Sequence, residues 1–429
     1  MTKRITCVII TCIFVTMCFS FFYRERNMMS RNILKLKAKH RPLQANSMAS
    51  ARKPVSFEHK TYVTERTGQP DIKVTHRVLS QKNIIFVVAY MRSGSTMTAS
   101  FLEANPGTFY RFEPLRGVYN KFKETKANKT TQLKYSKGSR TFKKTKMANV
   151  MMKELQAWLT CNLTSLSMET ILDRGYTLHE RDSCIKDKRT YRNKTSIQSR
   201  QDQIKQCVRN LVKDCVKSPS IVLKFIRLSV QDAAYFLPSF PNMKIIHLVR
   251  DPRGIISSRD RVGFHYTKNG SIANLCKDIQ SNLFWTKKVF QQYNNRIKIV
   301  HYEDIAENPY QLVQEIYSFV GYNYSKDTEH FVTSVTDSAK SSCPFCIKRK
   351  NSTETASVWR HTIPEDLAET IYHHCKHSMD VLGYLPLENK FQLRNTNIAS
   401  RITQNTSKRI LQSDLTMPPL EESWLHQTL

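Results

Sequence analysis

The sequence predicts an α/β architecture: a parallel central sheet with flanking helices, preceded by one N-terminal transmembrane helix. Three observations carry that expectation. Five apolar runs of strand length, Ile84–Tyr90, Phe109–Phe112, Ile221–Ile226, Lys244–Val249 and Ile297–Tyr302, are rich in Ile, Val and Phe, as strands buried on both faces of a parallel sheet should be. Helical patterns lie between them; Ile272, Cys276, Ile279, Leu283 and Phe290 fall on one face, bounded by Gly270 and Asn294-Asn295. Ahead of all these, Ile5 to Tyr23 is uncharged and mostly apolar. As a helix it would be roughly 28 Å long, about the hydrocarbon thickness of a bilayer.

In chain order, residues 1–4 read as a cytoplasmic tail and 5–23 as a signal-anchor. The apolar run is long for a cleaved signal peptide, although Cys18-Phe19-Ser20 could pass as a cleavage site. Flanking charge does not set the orientation, because Arg24, Arg26, Arg31, Lys35 and Lys37 outnumber Lys3 and Arg4. Sequons and cysteines do. Asn-X-Ser/Thr sites begin at Asn128, Asn162, Asn193, Asn269, Asn323, Asn351 and Asn405, a spread that favours a glycosylating lumen. Eight cysteines, Cys161, Cys184, Cys207, Cys215, Cys276, Cys343, Cys346 and Cys375, lie beyond the apolar run and suit a disulfide-bearing domain. Cys343 and Cys346 read as a disulfide or as members of two bridges rather than half a zinc site, since no second pair stands at a suitable spacing. Residues 24–82 form a basic stem and 83–385 the folded domain, with an insertion at about 116–219. Residues 386–429 read as a polar, flexible tail.

Of 429 residues, 67 are Lys or Arg and 35 Asp or Glu, a formal net charge of +32. Such a balance calls for an anionic partner. Much of it is concentrated in two segments: ten basic residues against two acids in 24–60, and eleven against one in 116–146. With hydrophobic residues at 40%, wholesale disorder is excluded. Only 11 glycines exclude collagen-like and Gly/Ser-linker sequences.

Those few glycines are informative. Gly94 lies in Arg92-Ser93-Gly94-Ser95-Thr96, where a buried strand runs directly into a hydroxyl-rich turn; Met97, Phe101 and Leu102 follow at helical spacing. A strand, a glycine turn and a helix start together offer free amides and a positive dipole end to an anion. Arg92 adds a fixed fork of donors. A second strand-to-helix junction, Lys244 to Arg259, places Asp251 as N-cap, Pro252 at the first helical position and Arg250 at the strand's carboxyl edge. Ser258 falls two turns on, facing back toward that edge. GxxxxGK[ST], GxGxxG and Asp-x-Asp are all absent, which leaves kinases and metal-dependent nucleotide-sugar transferases without support.

Together these elements resemble the Golgi carbohydrate sulfotransferases, specifically the galactose/N-acetylglucosamine/N-acetylgalactosamine 6-O-sulfotransferase family. Further matches are Phe109-Tyr110-Arg111-Phe112-Glu113-Pro114, Val222-Leu223-Lys224-Phe225-Ile226-Arg227, Val300-His301-Tyr302-Glu303-Asp304 and Trp359-Arg360. The resemblance implies a P-loop-like sulfotransferase fold and 3′-phosphoadenosine 5′-phosphosulfate (PAPS) as donor, with no metal. It assigns Arg92, Ser93, Gly94, Ser95, Thr96 and Met97 to the 5′-phosphosulfate and Arg250 with Ser258 to the 3′-phosphate. Glu113, ending the second strand, is the expected general base, or else a salt-bridge partner of Arg92 or Arg116. Lys224 or Arg227 would stabilise charge or form structural ion pairs. The implied partners are a keratan-, chondroitin- or N-acetylglucosamine-type glycan acceptor and the Golgi membrane, with a homo-oligomer admitted and nucleic acid excluded. The implied topology is single-pass type II with a lumenal catalytic domain. The competing reading is a non-catalytic, membrane-anchored binder of acidic glycans.

His247, inside an apolar strand, reads as a satisfied core residue, and Trp158 and Trp285 as core rather than sugar platforms. His373, His374 and His377 lack the partners a metal site needs. Basic Lys121–Lys146 reads either as a track for a sulfated glycan or as a solvated loop.

Overall fold

A computed structural model of the protein describes residues 81–126, 129–173, 197–264, 271–339 and 346–417. The expected anchor, the stem up to residue 80, Asn128, Asn193, Asn269, Cys184 and Cys343 lie outside the described residues. Among the described residues no helix is long and apolar enough to cross a membrane.

The described residues form seven strands: β1 (Asn83–Val88), β2 (Thr108–Phe112), β3 (Thr130–Tyr135), β4 (Gly138–Lys143), β5 (Ser220–Phe225), β6 (Met243–Val249) and β7 (Ile297–His301). Five of them make one parallel sheet in the order β2-β5-β1-β6-β7. All five coincide with the apolar runs, their ends shifted by two residues at most. The alternation of strand side chains explains why the runs are continuous. Ile84, Phe86 and Val88 enter one core; Ile85 and Val87 enter another on the opposite face.

Helices cover both faces. The principal ones are α1 (Ser95–Glu103), α2 (Arg116–Lys123), α3 (Met147–Leu159), α4 (Ile197–Lys217), α5 (Pro252–Asp260), α6 (Ser271–Gln292), α7 (Tyr302–Glu307), α8 (Pro309–Val320) and α9 (Glu365–Leu382). Residues of α2, α3 and α4 pack on the Phe86 side, those of α1 and α8 on the Val87 side. From central β1 the chain passes to β2 at one edge, whereas from β6 it passes to β7 at the other. The carboxyl ends of β1 and β6 therefore bracket the topological switch point, where open α/β sheets bind ligands. Val88, the last residue of β1, stands opposite His247, two residues before the end of β6.

The stretch between β2 and β5, expected as an insertion, is folded over its described residues. It contributes α2, α3, α4 and an unanticipated antiparallel hairpin, β3–β4. Cys161 bridges to Cys215 of α4, and Cys276 of α6 to Cys375 of α9. Cys207 and Cys346 are also disulfide-bonded. Buried Lys82 donates to the carbonyls of Cys215, Val216 and Ser218, placing a cation against the negative end of α4.

Residues 386–417 correct the expectation of a flexible tail. Leu393, Ile410 and Leu415 are buried. Arg360 is buried too and donates to the carbonyls of Gln392, Leu393, Asn395 and Ile398. Arg401 pairs with Asp304 and Glu307 of α7. The expected core residue His247 is as anticipated: fully buried, 3.0 Å from the Tyr90 hydroxyl and 2.8 Å from that of Thr286. Burial pushes its pKa down to about 3.

Ending the chain at Leu385 should abolish cooperative unfolding in guanidinium, and a truncated protein with the parent's midpoint would contradict this packing. Replacing Cys276 and Cys375, 99 residues apart, with Ala should cost about 4–5 kcal/mol, the loop-closure entropy of such a cross-link. A loss below about 1 kcal/mol would show the bridge to be dispensable.

Candidate active site

Three strand ends converge on the switch point. After β1, Gly94 turns the chain at φ 85° into α1. That angle disfavours any residue bearing a Cβ. The space disfavours one as well, since a Cβ at Gly94 would lie 2.2 Å from the Tyr302 ring. No side chain caps α1, which leaves its first-turn amides available beside the cavity that Gly94, Ser95, Thr96 and Met97 line. Ser93 corrects the sequence reading. Its hydroxyl donates to Tyr90 O at 2.8 Å, and its amide donates to the same carbonyl at 3.1 Å. It is buried, builds the turn and does not line the cavity.

After β6, Asp251 caps α5 by accepting from the Arg253 amide at 2.9 Å, with Pro252 at the first helical position. Arg250 is thereby aimed across the crevice. Its Nη1 donates to Arg92 O at 2.9 Å, and its guanidinium carbon lies 4.5 Å from the centre of the Tyr302 ring. Arg92 Nε in turn donates to Ser258 Oγ at 3.1 Å. The two loops found separately in the sequence are thus hydrogen-bonded into one unit.

After β2, Glu113 is fixed by its amide, which donates to Lys224 O at 2.8 Å. Its carboxylate is engaged on both sides, Oε1 by Lys224 Nζ at 2.9 Å and Oε2 by Arg227. Lys224 also lies 4.1 Å above the Phe112 ring. Neither Arg92 nor Arg116 is Glu113's ion-pair partner; Arg116 forms a bidentate pair with Asp173. Arg92 (φ 75°) and Glu113 (φ 45°) both hold left-handed backbone. Non-glycine residues persist there only where surrounding structure over-determines them.

Among the described residues, the resulting cavity, about 730 Å³, is lined by six arginines, Lys224 and a single carboxylate, Glu113. It gathers Arg92, Gly94, Ser95, Thr96, Met97, Glu113, Lys224, Arg250 and Ser258, every expected donor-site and catalytic residue except Ser93. Tyr302, Arg261 and Arg349 complete it and were not singled out from the sequence. Tyr302 was legible only as part of a motif, and the other two lie on loops that the fold alone brings near Arg250. Burial, then repulsion by Arg250, Arg349 and Arg261, lowers the Arg92 pKa to about 10. The Arg261 and Arg349 values are lowered mainly by burial, with Arg250 contributing. All three remain protonated at neutral pH, so the crowding amounts to repulsion that a bound polyanion relieves.

Arg250 makes the demand specific. Its Nε and Nη2 are buried and have no hydrogen-bond partner, a costly state unless ligand oxygens complete it. Those donors, the uncapped α1 amides and the Arg92 fork suit two separate phosphate-type groups. Among the described residues no group of three or more His, Cys, Asp or Glu side chains is placed to hold a metal ion. Trp158 is buried against Phe109. Trp285 packs on the same core. Asn162, Asn323, Asn351 and Asn405 are exposed.

Residues 84–326 match the family model described as Sulfotransferase family. Carbohydrate sulfotransferase 1 of Rattus norvegicus is 24% identical over 361 residues, covering 75% of this chain and 84% of that protein. Carbohydrate sulfotransferase 3 of Tetronarce californica is 24% identical over 399 residues, covering 83% and 84%. Among solved structures, the sulfotransferase domain from the Synechococcus PCC 7002 olefin synthase aligns at a TM-score of 0.40 and 16% identity, covering 73% of this chain and 98% of that one.

Replacing Arg250 with Met should leave the unliganded protein folded but unresponsive to 3′-phosphoadenosine 5′-phosphate (PAP). At a hundredfold excess over Kd, PAP should stabilise the parent protein by about 2.7 kcal/mol. An undiminished thermal shift in R250M would remove Arg250 from the site.

Proposed function

Because the chain belongs to the sulfotransferase family, we propose that it transfers a sulfuryl group from PAPS to a sugar hydroxyl, at C6 of galactose, N-acetylglucosamine or N-acetylgalactosamine in a glycan. We place it in the Golgi membrane with its catalytic domain lumenal, a reading supported by the apolar run at 5–23 and the seven sequons. The observation that carries the donor assignment is the buried, unpartnered guanidinium edge of Arg250, bonded to Arg92 across the same cavity. Names of the relatives, carbohydrate sulfotransferases 1 and 3, support a sugar as acceptor.

The donor supplies an activated sulfuryl group: its bond to the 5′-phosphate oxygen breaks as the bond from sulfur to the acceptor oxygen forms. The protein's part is positioning and charge. Arg92 and the first amides of α1 neutralise the 5′-phosphosulfate and the departing phosphate oxygen. Arg250, with Ser258, holds the 3′-phosphate, which separates this donor from ATP-like nucleotides. Lys224, buried behind Glu113, sets the carboxylate's orientation and adds positive charge to the reacting centre. Glu113 receives the acceptor's hydroxyl proton and returns it to solvent after transfer. The sulfated sugar, PAP and one proton account for all atoms and charge.

The decisive assay incubates the protein with labelled PAPS and desulfated keratan, chondroitin and N-acetylglucosamine-terminated acceptors. Label is expected on at least one of them. Intact PAP binding without transfer to any acceptor would overturn the enzymatic reading in favour of a glycan binder. Glu113→Gln should lower kcat by about 10²–10⁴ while PAP affinity is kept, and an unchanged kcat would exclude Glu113 as the base.

A further inference from the structure

Resting on that reading, we propose that Arg227 senses the charge of the acceptor glycan. An anionic group beside the reacting hydroxyl, a uronate carboxylate or a sulfate ester, draws Arg227 off Glu113 and so exposes the oxygen that takes the hydroxyl proton.

Both oxygens of Glu113 carry a cation. A general base takes the proton on a carboxylate lone pair facing the acceptor, and here Lys224 engages Oε1 while Arg227 engages Oε2. The two cations are not equally free to leave. Lys224 has a side chain 2% exposed and sits on the Phe112 ring, so losing Glu113 would strand a buried ammonium. Arg227 is 27% exposed and reaches Glu113 from the solvent side. Arg227 is therefore the partner that moves, and Oε2 the oxygen that opens.

What lies around Arg227 then decides what can move it. Separating it from Glu113 forfeits a charge-assisted pair unless another anion takes the guanidinium. Its guanidinium carbon lies 5.4 Å from the Tyr119 ring of α2. On α2 Lys121 and Lys123 are exposed, and the β3–β4 hairpin, which packs on α2 through Phe142 against Phe122, exposes Lys134, Arg140 and Lys143. Arg116, at the start of α2, is already paired with Asp173. Arg227 is thus a partly exposed cation on the cavity wall, with exposed basic residues on the neighbouring elements. A neutral sugar chain would leave that field unanswered and Arg227 on its carboxylate. An acidic chain replaces the lost pair with a new one and meets lysines further along. The proton passes from the acceptor hydroxyl to Oε2 as the sulfuryl group leaves the donor, so the balance is that of the reaction above.

The test uses the full-length protein with saturating PAPS and acceptors matched except for charge: chondroitin oligosaccharides against their carboxyl-reduced counterparts, and partially sulfated against fully desulfated keratan oligosaccharides. Rates are measured for the parent, R227Q and R227K. In the parent at least one charged acceptor should exceed its neutral counterpart by about tenfold in kcat/KM, chiefly through kcat. R227Q should bring the two members of that pair within about twofold, and R227K should restore part of the difference. Equal rates for charged and neutral acceptors in the parent would overturn the proposal without touching the transferase reading. So would a preference carried by KM alone and unchanged in R227Q, which would assign the discrimination to the basic surface. Should R227Q fail to fold, the parent's kcat ratio and R227K still decide the matter. No transfer to any acceptor, with PAP bound normally, would instead overturn the sulfotransferase reading, and this proposal with it.

Discussion

Crowding guanidinium groups at the carboxyl ends of two neighbouring strands is the constraint from which the remaining architecture follows. Arg92 and Arg250 repel one another, and Arg261 and Arg349 add to that repulsion. The arrangement stands because short-range contacts fix it: Arg250 on the Arg92 carbonyl, Arg92 on Ser258 and the Tyr302 face beneath Arg250. Tyr302 also occupies the space a side chain at Gly94 would need. Below them, Glu303 accepts from the Asp251 amide and from the Tyr384 hydroxyl, placing a carboxylate behind the arginines where no ligand needs to sit. Donor loop, α5, α7 and the turn after α9 are thereby made interdependent. A packed parallel sheet is the sort of support that can hold Arg92 and Glu113 in left-handed backbone.

The cavity divides its charge by partner. At the β1–β6 end, Arg250 keeps two buried donors unsatisfied, so affinity for a polyanion is built in at the expense of the empty state. At the β2–β5 end, Lys224 and Arg227 are answered by Glu113, and Arg116 by Asp173. One end is preorganised for a fixed, highly charged donor, whereas the other is neutralised internally and changes only when something competes for its ion pairs. The overall excess of 32 positive charges says nothing of this division, which depends on which cations have partners.

Most of the fold could be read from the sequence because its sheet is buried on both faces, and continuous runs such as Ile84–Tyr90 have no other ready explanation. The β3–β4 hairpin escaped because only Thr131 and Leu133 of its two strands are buried, too short an alternation among lysines and threonines to register. The C-terminal segment escaped for a different reason. Leu393, Ile410 and Leu415 are isolated apolar residues without a common period, and what anchors the segment is arginine bonding to carbonyls and carboxylates. Within the site, residues adjoining a strand end were legible. Arg261 and Arg349 were not, since their proximity to Arg250 is a product of topology. Ser93 shows the limit of reading chemistry from residue type: a hydroxyl in an anion-binding turn can face inward and build the turn instead.

The docked C-terminal segment sets an order of events during synthesis. Asp304 and Glu307 follow β7 and emerge from the ribosome roughly a hundred residues before their partner Arg401. His301, at the end of β7, likewise waits for Tyr384 and Thr406, and Glu303 for Tyr384. The sheet can form early from its own apolar strands, but the polar layer beneath the donor loop lacks partners until nearly the whole domain has been made. A chain released short of residue 401 would contain all five parallel strands and every residue assigned here to the reaction, yet its arginine cluster would rest on an unfinished floor. Competence for donor binding is thus a late event in the life of the chain, tied to its last segment rather than to the loops that touch the ligand.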